Sequence, residues 1–411
     1  MKKRMKALLA ILLVVCMLGA CSNGKNTVEV GANNSDNTTN SSGDNASTDN
    51  TTSSEPTTEE PTTEEPTTTQ PPYEPVTMAF AGDMYLSDIL YANYEKGGLT
   101  GFMGQSILDI FQKTDIMVAN HEYVATDLPE SAKDTVQIYN FKAPVAREFL
   151  WDELGVDLVS LANNHAMDYG RQSLLDCLDA IDALNVKYIG AGRNLDDAKK
   201  AEIFEINGKK IAVLASCRFI PSWTWYAQTD KAGVMTTYES TDRFGMVKDE
   251  ITRLKEEEGC DIVAVYVHFG KEKSYNIIDS QYKVAHGYVD AGADLVIGSH
   301  AHNLQGIEIY KDAPIYYNLG NFLFMYYQVN TMVVNIEIQE DNSVTTKITP
   351  CIAGKYVVNE ATGQDALDIL NFIESISVNV EIDDEGNVTE KGKQQNTTEE
   401  EQPQDVTENV E

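Results

Sequence analysis

The chain has 411 residues, 42% of them hydrophobic, and a formal net charge of −33. That length allows two or three domains, and so acidic a balance argues against binding nucleic acid or an anionic lipid surface through bulk electrostatics. About −9 of the charge lies in residues 22–75 and about −9 in residues 381–411, which reads as solvating flanks around a smaller folded part.

At the start, Lys2, Lys3, Arg4 and Lys6 precede an apolar run from Ala7 to Met17 that is too short to span a bilayer, the pattern of an export signal over residues 1–20. Leu18-Gly19-Ala20-Cys21 follows, and small residues ahead of a cysteine at that place resemble the lipobox of bacterial lipoproteins. The resemblance implies cleavage before Cys21, a diacylglycerol on its thiol, and a chain anchored by lipid at the extracytoplasmic face of the cell membrane. Beyond the cysteine, residues 21–75 are mostly Thr, Ser, Asn, Asp, Glu and Pro, with Pro56-Thr57-Thr58-Glu59-Glu60 repeated as Pro61-Thr62-Thr63-Glu64-Glu65. Nothing there can form a core, so this stretch is expected to be a disordered tether. Its ends would lie on the order of 40 Å apart as a random coil, with a ceiling near ~170 Å when fully extended.

From Val76 apolar runs of strand length alternate with amphipathic helical stretches. Strands are predicted at Val76–Ala81, Ile116–Ala119, Leu158–Leu161, Ile203–Ile206, Ile211–Ala215, Ile262–Val267, Leu295–Ile297, Gly306–Tyr310, Ile315–Tyr317, Met332–Ile338 and Val344–Ile348. Helices are predicted at Phe102–Phe111, Val145–Leu154, Arg171–Leu184, Thr241–Glu258, Gln281–Ala291 and Gln364–Ile376. Alternation first and strands last indicate an α/β sandwich with mixed sheets, and Asn207-Gly208 reads as a tight hairpin turn. The domain is bounded at residues 76–378, with an acidic disordered tail over 379–411. Cys177, Cys217, Cys260 and Cys351 show no Cys-x-x-Cys spacing, so a zinc knuckle or redox motif is not expected. Cys177 and Cys217 read as small buried hydrophobes, and the sequence leaves the disulfide state open.

The chemistry lies where the strands end. Gly82-Asp83 follows the first strand, Asn120-His121-Glu122 the second, and Asn163-Asn164-His165 the third. Ile262 to Val267 ends at His268, and Leu295-Val296-Ile297 leads into Gly298-Ser299-His300-Ala301-His302. In an open α/β sheet ligands bind outside the carboxyl ends of the strands, and five of the chain's six histidines fall near such ends. Oxygen and imidazole donors without thiolate suit Mn, Fe, Zn or Mg. A His-x-His pair can turn both rings into one cavity where the backbone bends. The donors outnumber the needs of one ion, so one or two divalent ions are expected.

These motifs, together with Asp168 and Gly170, His268-Phe269-Gly270 and Tyr317-Asn318-Leu319-Gly320-Asn321-Phe322, resemble in order those of the CapA/PgsA family of poly-γ-glutamate capsule synthesis, which is similar to calcineurin-like metallophosphatases. The likeness runs from about Val76 to Ala353. It implies a four-layer α/β-β/α metallophosphatase-like sandwich, a role in synthesis or export of a polyanionic capsule polymer, and membrane-bound synthesis partners. By the same likeness Asp83 and His302 hold one metal, Asn164, His268 and His300 hold the second, and Glu122 bridges them. His165 becomes the proton donor to a leaving group. A free-standing metal-dependent hydrolase of phosphoesters or envelope polymers, and a polymer-binding module without catalysis, are the alternative readings. The departures are specific: Asp83 is followed by Met84-Tyr85 where metallophosphatases carry Asp-x-His, and Glu122 stands for the bridging aspartate. Phe269 and Asn318 replace the tryptophan and serine frequent in the capsule family.

Several residues carry two readings. Asp168 is an N-cap candidate for the helix beginning near Tyr169 and could equally orient His165. His121 reads as a supporting or surface residue and not a ligand, and His286 as solvated. Trp223, Trp225 and Tyr226 form an aromatic loop that lines a groove or packs in the core. Arg218 reads first as a surface ion pair, and Asn318, Gly320 and Asn321 as a structural turn.

Overall fold

The computed structural model describes residues 73–135 and 137–392; the signal segment, Cys21, the tether up to residue 72 and residues 393–411 lie outside the described residues. The strands are β1 (Val76–Met84), β2 (Ile116–His121), β3 (Leu158–Ser160), β4 (Lys187–Ile189), β5 (Glu202–Ile206), β6 (Lys209–Cys217), β7 (Ile262–Phe269) and β8 (Leu295–His300). They continue as β9 (Ile307–Tyr310), β10 (Ala313–Tyr316), β11 (Asn321–Leu323), β12 (Val329–Ile338), β13 (Val344–Gly354), β14 (Val357–Glu360), β15 (Val380–Ile382) and β16 (Asn387–Glu390). The α-helices are α1 (Asp88–Gly97), α2 (Gln105–Lys113), α3 (Phe149–Leu154), α4 (Arg171–Asp182), α5 (Leu195–Lys199), α6 (Asp242–Glu256), α7 (Asp279–Asp290) and α8 (Gln364–Ser375).

Two mixed sheets carry the fold. The larger has the order β15-β16-β13-β12-β1-β2-β3-β4, with β11 paired to β1 and β14 to β13. The smaller is β9-β10-β8-β7-β6-β5. β1 to β4 run parallel, as do β6, β7 and β8, so their carboxyl ends gather along one rim. Strand alternation splits the smaller sheet's side chains between two cores. Ile211, Val213, Ala264, Tyr266 and Ile297 pack into the cluster that holds Met78, Phe80 and Val118 of the larger sheet. Their neighbours Ala212, Leu214, Val263, Val265 and Val296 pack with Val247 and Ile251 of α6 and Val284 and Tyr288 of α7. On the larger sheet, Leu108 and Phe111 of α2 and Leu174, Leu178 and Ile181 of α4 join the first cluster. The layers are therefore helix, sheet, sheet, helix, the α/β-β/α order expected. The Tyr266 hydroxyl donates to the Ala81 carbonyl at 2.9 Å and ties the two sheets together. Each fully buried Val, Leu or Ile contributes roughly 1.5–3 kcal/mol, so this double core dominates the stability.

The turn at Asn207-Gly208 has both residues at positive φ, +49° and +79°, as a two-residue hairpin requires. Cys177, Cys217, Cys260 and Cys351, the cysteines among the described residues, are buried and unpaired there. One boundary needs correction. The tail expected from residue 379 is structured as far as Gly392, because β15 and β16 form a hairpin that extends the larger sheet through Thr346 and Lys347. Val380 and Val388 are buried beneath it. The Asp383 carboxylate accepts the Glu385 and Asn387 amides at 2.9 and 2.8 Å, closing the turn. Acidic composition concealed an ordinary turn between two apolar positions. The strands β4, β11 and β14 and the helices α1 and α5 likewise lie outside the elements expected from the sequence.

Candidate metal centre

The carboxyl ends of β1, β2, β7 and β8 and the loop after β3 bring every proposed ligand into one buried cluster. β1 makes a close approach to the turn before β11: a Cβ at Gly82 would lie 2.1 Å from the Gly320 carbonyl oxygen, and the Asp83 amide donates to that oxygen at 3.1 Å. β8 ends in an unusual bend. His300 and His302 both have positive φ, +92° and +57°, a conformation that costs a residue with a Cβ roughly 1–3 kcal/mol. The bend turns both imidazoles into the same cavity, with ring centroids 6.2 Å apart, as the His-x-His spacing requires.

Two groups share one carboxylate. Glu122, His268 and His300 form the first, and Asp83, Glu122 and His302 the second, each with its ligand atoms within 4.8 Å of one another. Asn164 joins the first, its Oδ1 lying 2.7 Å from His268 Nε2, and His300 Nδ1 lies 3.1 Å from that nitrogen. In the second, His302 Nδ1 lies 3.2 Å from Asp83 Oδ2. Glu122 Oε1 stands between the groups, 3.6 Å from His268 Nε2 and 3.8 Å from His302 Nε2. It is buried and has no hydrogen-bond partner among the described residues.

The electrostatics match that arrangement. Burial, then the Asp83 charge, pushes Glu122 well above the usual carboxylate range. At Asp83 burial acts upwards, but the bond and charge of His302 outweigh it and hold the group low. Burial, then the neighbouring imidazole charges, drives His268 well down and His300 to about 3, so both rings stay neutral and free to bind a cation. Two adjacent buried carboxylates and an orphaned oxygen are an unfavourable combination for protein alone. A divalent cation with oxygen and nitrogen ligands offsets it, so the residues present fit one or two such ions.

His165 sits at the edge of this centre, close enough that its charge bears on His268 and His300. Its Nδ1 lies 2.8 Å from Asp168 Oδ2, and the buried Asp168 also accepts the Phe141 amide and Gln137 Nε2, both at 2.6 Å. The N-cap reading of Asp168 is thereby corrected. Helix α4 begins after Gly170, at φ +82° and with no side-chain cap, and the carboxylate is engaged by the His165 ring and the loop before Phe141. The two readings of Asp168 resolve to the one that orients His165.

Other placements differ from expectation. His121 is fully buried and not at the surface, its Nε2 2.8 Å from Glu148 Oε2 and its ring stacked on Tyr123 at 3.8 Å. Burial acts to lower its pKa, but the Glu148 and Cys177 charges push it up to about 10. His121, Glu148 and Cys177 also lie together, yet Glu148 is already bonded by His121 and by the Tyr123 hydroxyl at 2.5 Å, which makes this a buried ion pair. His286 is held rather than solvated, 3.0 Å from Glu308 and stacked on Tyr310. Tyr85 stands where metallophosphatases have a ligand histidine, and its hydroxyl donates instead to the Lys142 carbonyl at 3.0 Å. Arg218 pairs with Glu239 at 2.7 Å. The aromatic loop divides: Trp225 is buried and Trp223 exposed.

Four residues take roles at the centre that the sequence did not assign to them. Asn120 Nδ2 donates to Asp83 Oδ1 at 2.9 Å and Glu122 Oε2 at 3.2 Å, steadying both carboxylates. Ser299 Oγ lies 2.8 Å from His268 Nδ1, and Asn321 Oδ1 lies 2.8 Å from His302 Nδ1, so Asn321 is more than part of a turn. Gln137 donates to the Asn164 carbonyl at 2.5 Å. The alternation of β2 could have revealed Asn120, since it shares a face with Glu122; the others depend on contacts distant in sequence.

Residues 77–326 match the family model described as bacterial capsule synthesis protein PGA_cap. The chain is 28% identical over 258 residues to the capsule biosynthesis protein CapA of Bacillus anthracis, covering 61% of this chain and 60% of that protein. It is 30% identical over 250 residues to the PGA biosynthesis protein CapA of Bacillus subtilis, covering 61% and 63% respectively. The match thus spans about six-tenths of the length of each relative. A solved structure of a hypothetical protein from Thermus thermophilus aligns with 67% of this chain and 98% of its own, at TM-score 0.41 and 18% identity.

Proposed function

We propose, from the premise that this chain belongs to the bacterial capsule synthesis (PGA_cap) family, that it acts in synthesis or export of poly-γ-glutamate or a related capsule polymer through a centre of one or two divalent metal ions. The observation that carries the metal reading is Glu122 Oε1, a buried oxygen without a partner among the described residues, at the shared corner of two ligand groups. In this reading the chain is held at the extracytoplasmic face of the membrane by lipid on Cys21, beside membrane-bound synthesis proteins.

Asp83 and His302 would hold one ion, Asn164, His268 and His300 the other, and Glu122 both. Bound ions of this kind activate a water and stabilise charge on a leaving oxygen. The chain's own contribution is to keep His268 and His300 neutral, to steady the carboxylates through Asn120, and to exclude water by burial. Asp168 holds Nδ1 of His165, which leaves Nε2 to carry a proton for a leaving atom. That pair favours the second reading, a metal-dependent hydrolase of phosphoesters or envelope polymers. The turned-away Tyr85 favours the third, a centre that binds polymer without cleaving it.

Elemental analysis of metal-supplemented protein tests the premise. The parent should retain about one or two ions per chain, and replacing His300 and His302 together with Ala should remove at least one. His165→Ala should keep the metal and lose any hydrolysis in a phosphoester and amide screen. A parent that binds no more metal than the double variant would overturn the reading, and metal without cleavage in the parent would leave the binding role.

A further inference from the structure

Six of the ten large apolar side chains left exposed among the described residues lie on three loops around the mouth of the centre: Phe219, Trp223, Ile138, Tyr139, Tyr326 and Tyr327. Each loop is anchored by a phenylalanine against a different histidine. Phe219 stacks on His300 with centroids 4.8 Å apart, Phe324 on His302 at 5.2 Å, and Phe141 rests on His165 at 4.5 Å. The first loop crosses from His300 towards His165. Arg171 donates to the Thr224 carbonyl at 2.6 Å, and Trp225 donates to Asp134, whose own amide donates to the Asp168 carbonyl at 2.7 Å. Ile138 and Tyr139, both exposed, lie along the chain between Gln137, bonded to Asn164, and Phe141. Tyr326 and Tyr327 follow Phe324, their turn held by the Lys355 amide donating to the Tyr326 carbonyl at 2.7 Å.

Two of the loops meet where Phe141 packs edge-on against Phe324 at 5.1 Å, and exposed apolar side chains gathered around one site mark a binding surface. Its charge indicates the occupant. The folded part stays acidic when both flanks are set aside. Arg218, beside Phe219, is engaged by Glu239, and Lys142 by Glu130; Lys271 and Lys273 stand on either side of Glu272. Among the described residues these cations, with Arg171 on the Thr224 carbonyl, stand singly and do not form a track that could follow a polyanion. A sugar chain needs none: its rings offer C–H faces to aromatic side chains, which combine large contact area with few rotors to immobilise. We propose that this rim is a stacking platform that binds an uncharged glycan chain across the mouth of the centre. This goes beyond the capsule-assembly reading and does not require bound ions.

The test is titration of the full chain with chitohexaose and cellohexaose, and separately with poly-γ-glutamate of matched length, by calorimetry and tryptophan fluorescence at low and high salt. At least one hexasaccharide should bind with little salt dependence. Trp223→Ala, and Tyr326→Ala with Tyr327→Ala, should each weaken it about tenfold (about 1.4 kcal/mol) at an unchanged melting temperature, and Trp223→Phe should restore most of the affinity. Chelator treatment should leave glycan affinity intact, so failure of the metal reading is seen separately. Absence of hexasaccharide binding, binding indifferent to these substitutions, or tighter and salt-sensitive binding of poly-γ-glutamate would each overturn the proposal.

Discussion

Replacing Glu122 with Gln should change stability in opposite directions with and without metal. Without metal, Oε1 is buried, lacks a partner among the described residues, and belongs to a carboxylate beside Asp83. A glutamine keeps an acceptor for Asn120 Nδ2, now 3.2 Å from Oε2, and offers an amide donor towards the imidazole nitrogens where the orphaned oxygen was. Relieving a buried unsatisfied group contributes about 1–3 kcal/mol. For a domain of this size that raises the melting temperature of chelator-treated protein by roughly 2–6 °C.

With metal the order reverses. An ion present at a hundred times its dissociation constant stabilises the folded state by about 2.7 kcal/mol, or roughly 5 °C. The variant should lose most of that gain because the ligand shared by both groups is gone. Calorimetric melts of parent and variant, after chelation and after resupply of Mn or Zn, read both effects. If the variant melts below the parent without metal and gains as much from metal, Glu122 is a structural carboxylate and the shared-ligand geometry has been misread.

Glu148→Gln should destabilise the protein by about 3–5 kcal/mol near neutral pH, since it leaves one half of a buried pair. With His121 raised to about 10, the pair's contribution is fully present below the ordinary histidine value near 6.5 and drains as pH rises towards 10. Denaturant titrations at both ends should therefore show an alkaline loss in the parent that the variant lacks. Ending the chain at residue 378 should cost about 3–6 kcal/mol, from the burial of Val380 and Val388, whereas ending it at residue 392 should leave the denaturation midpoint unchanged. Cys21→Ala should release the protein from the membrane fraction or leave it unprocessed, and detergent-requiring attachment equal to the parent's would refute lipid anchoring.

The centre was legible where strand chemistry is local. A parallel strand buried on both faces reads as an unbroken apolar run, so the first polar residue after Val267 or Ala119 stands out as an end that faces ligand. His268, His300 and His302 were found in this way, and the grouping of Asn164 and Glu122 with them came through the family likeness. The alternation that places Asn120 and Glu122 on one face also places His121 on the other, where it meets Glu148, a partner 27 residues away. That contact depends on how α3 returns against β2, and no local pattern carries it. Trp225 and Trp223 show the same limit within one loop: two residues apart, one is buried against Asp134 and the other exposed.

Backbone demands were the least visible part. His300 and His302 adopt positive φ although neither is glycine, and packing around the bend has to supply what their own conformational preferences oppose. That packing includes Gly298, where a Cβ would lie 2.1 Å from the Tyr317 carbonyl oxygen, and the Leu319 amide, which donates to the Gly298 carbonyl at 3.2 Å. The small residue in Gly298-Ser299-His300 thus lets the turn through Asn318 approach β8 closely enough to hold the strained histidines. The same turn brings Asn321 to His302 and Gly320 to Gly82, so one stretch of chain supports both strand ends that carry the second ligand group. The motifs read in order along the sequence are therefore parts of one object, and the Tyr317–Phe322 stretch, which supplies none of the proposed ligands, positions Asp83 and His302 against each other.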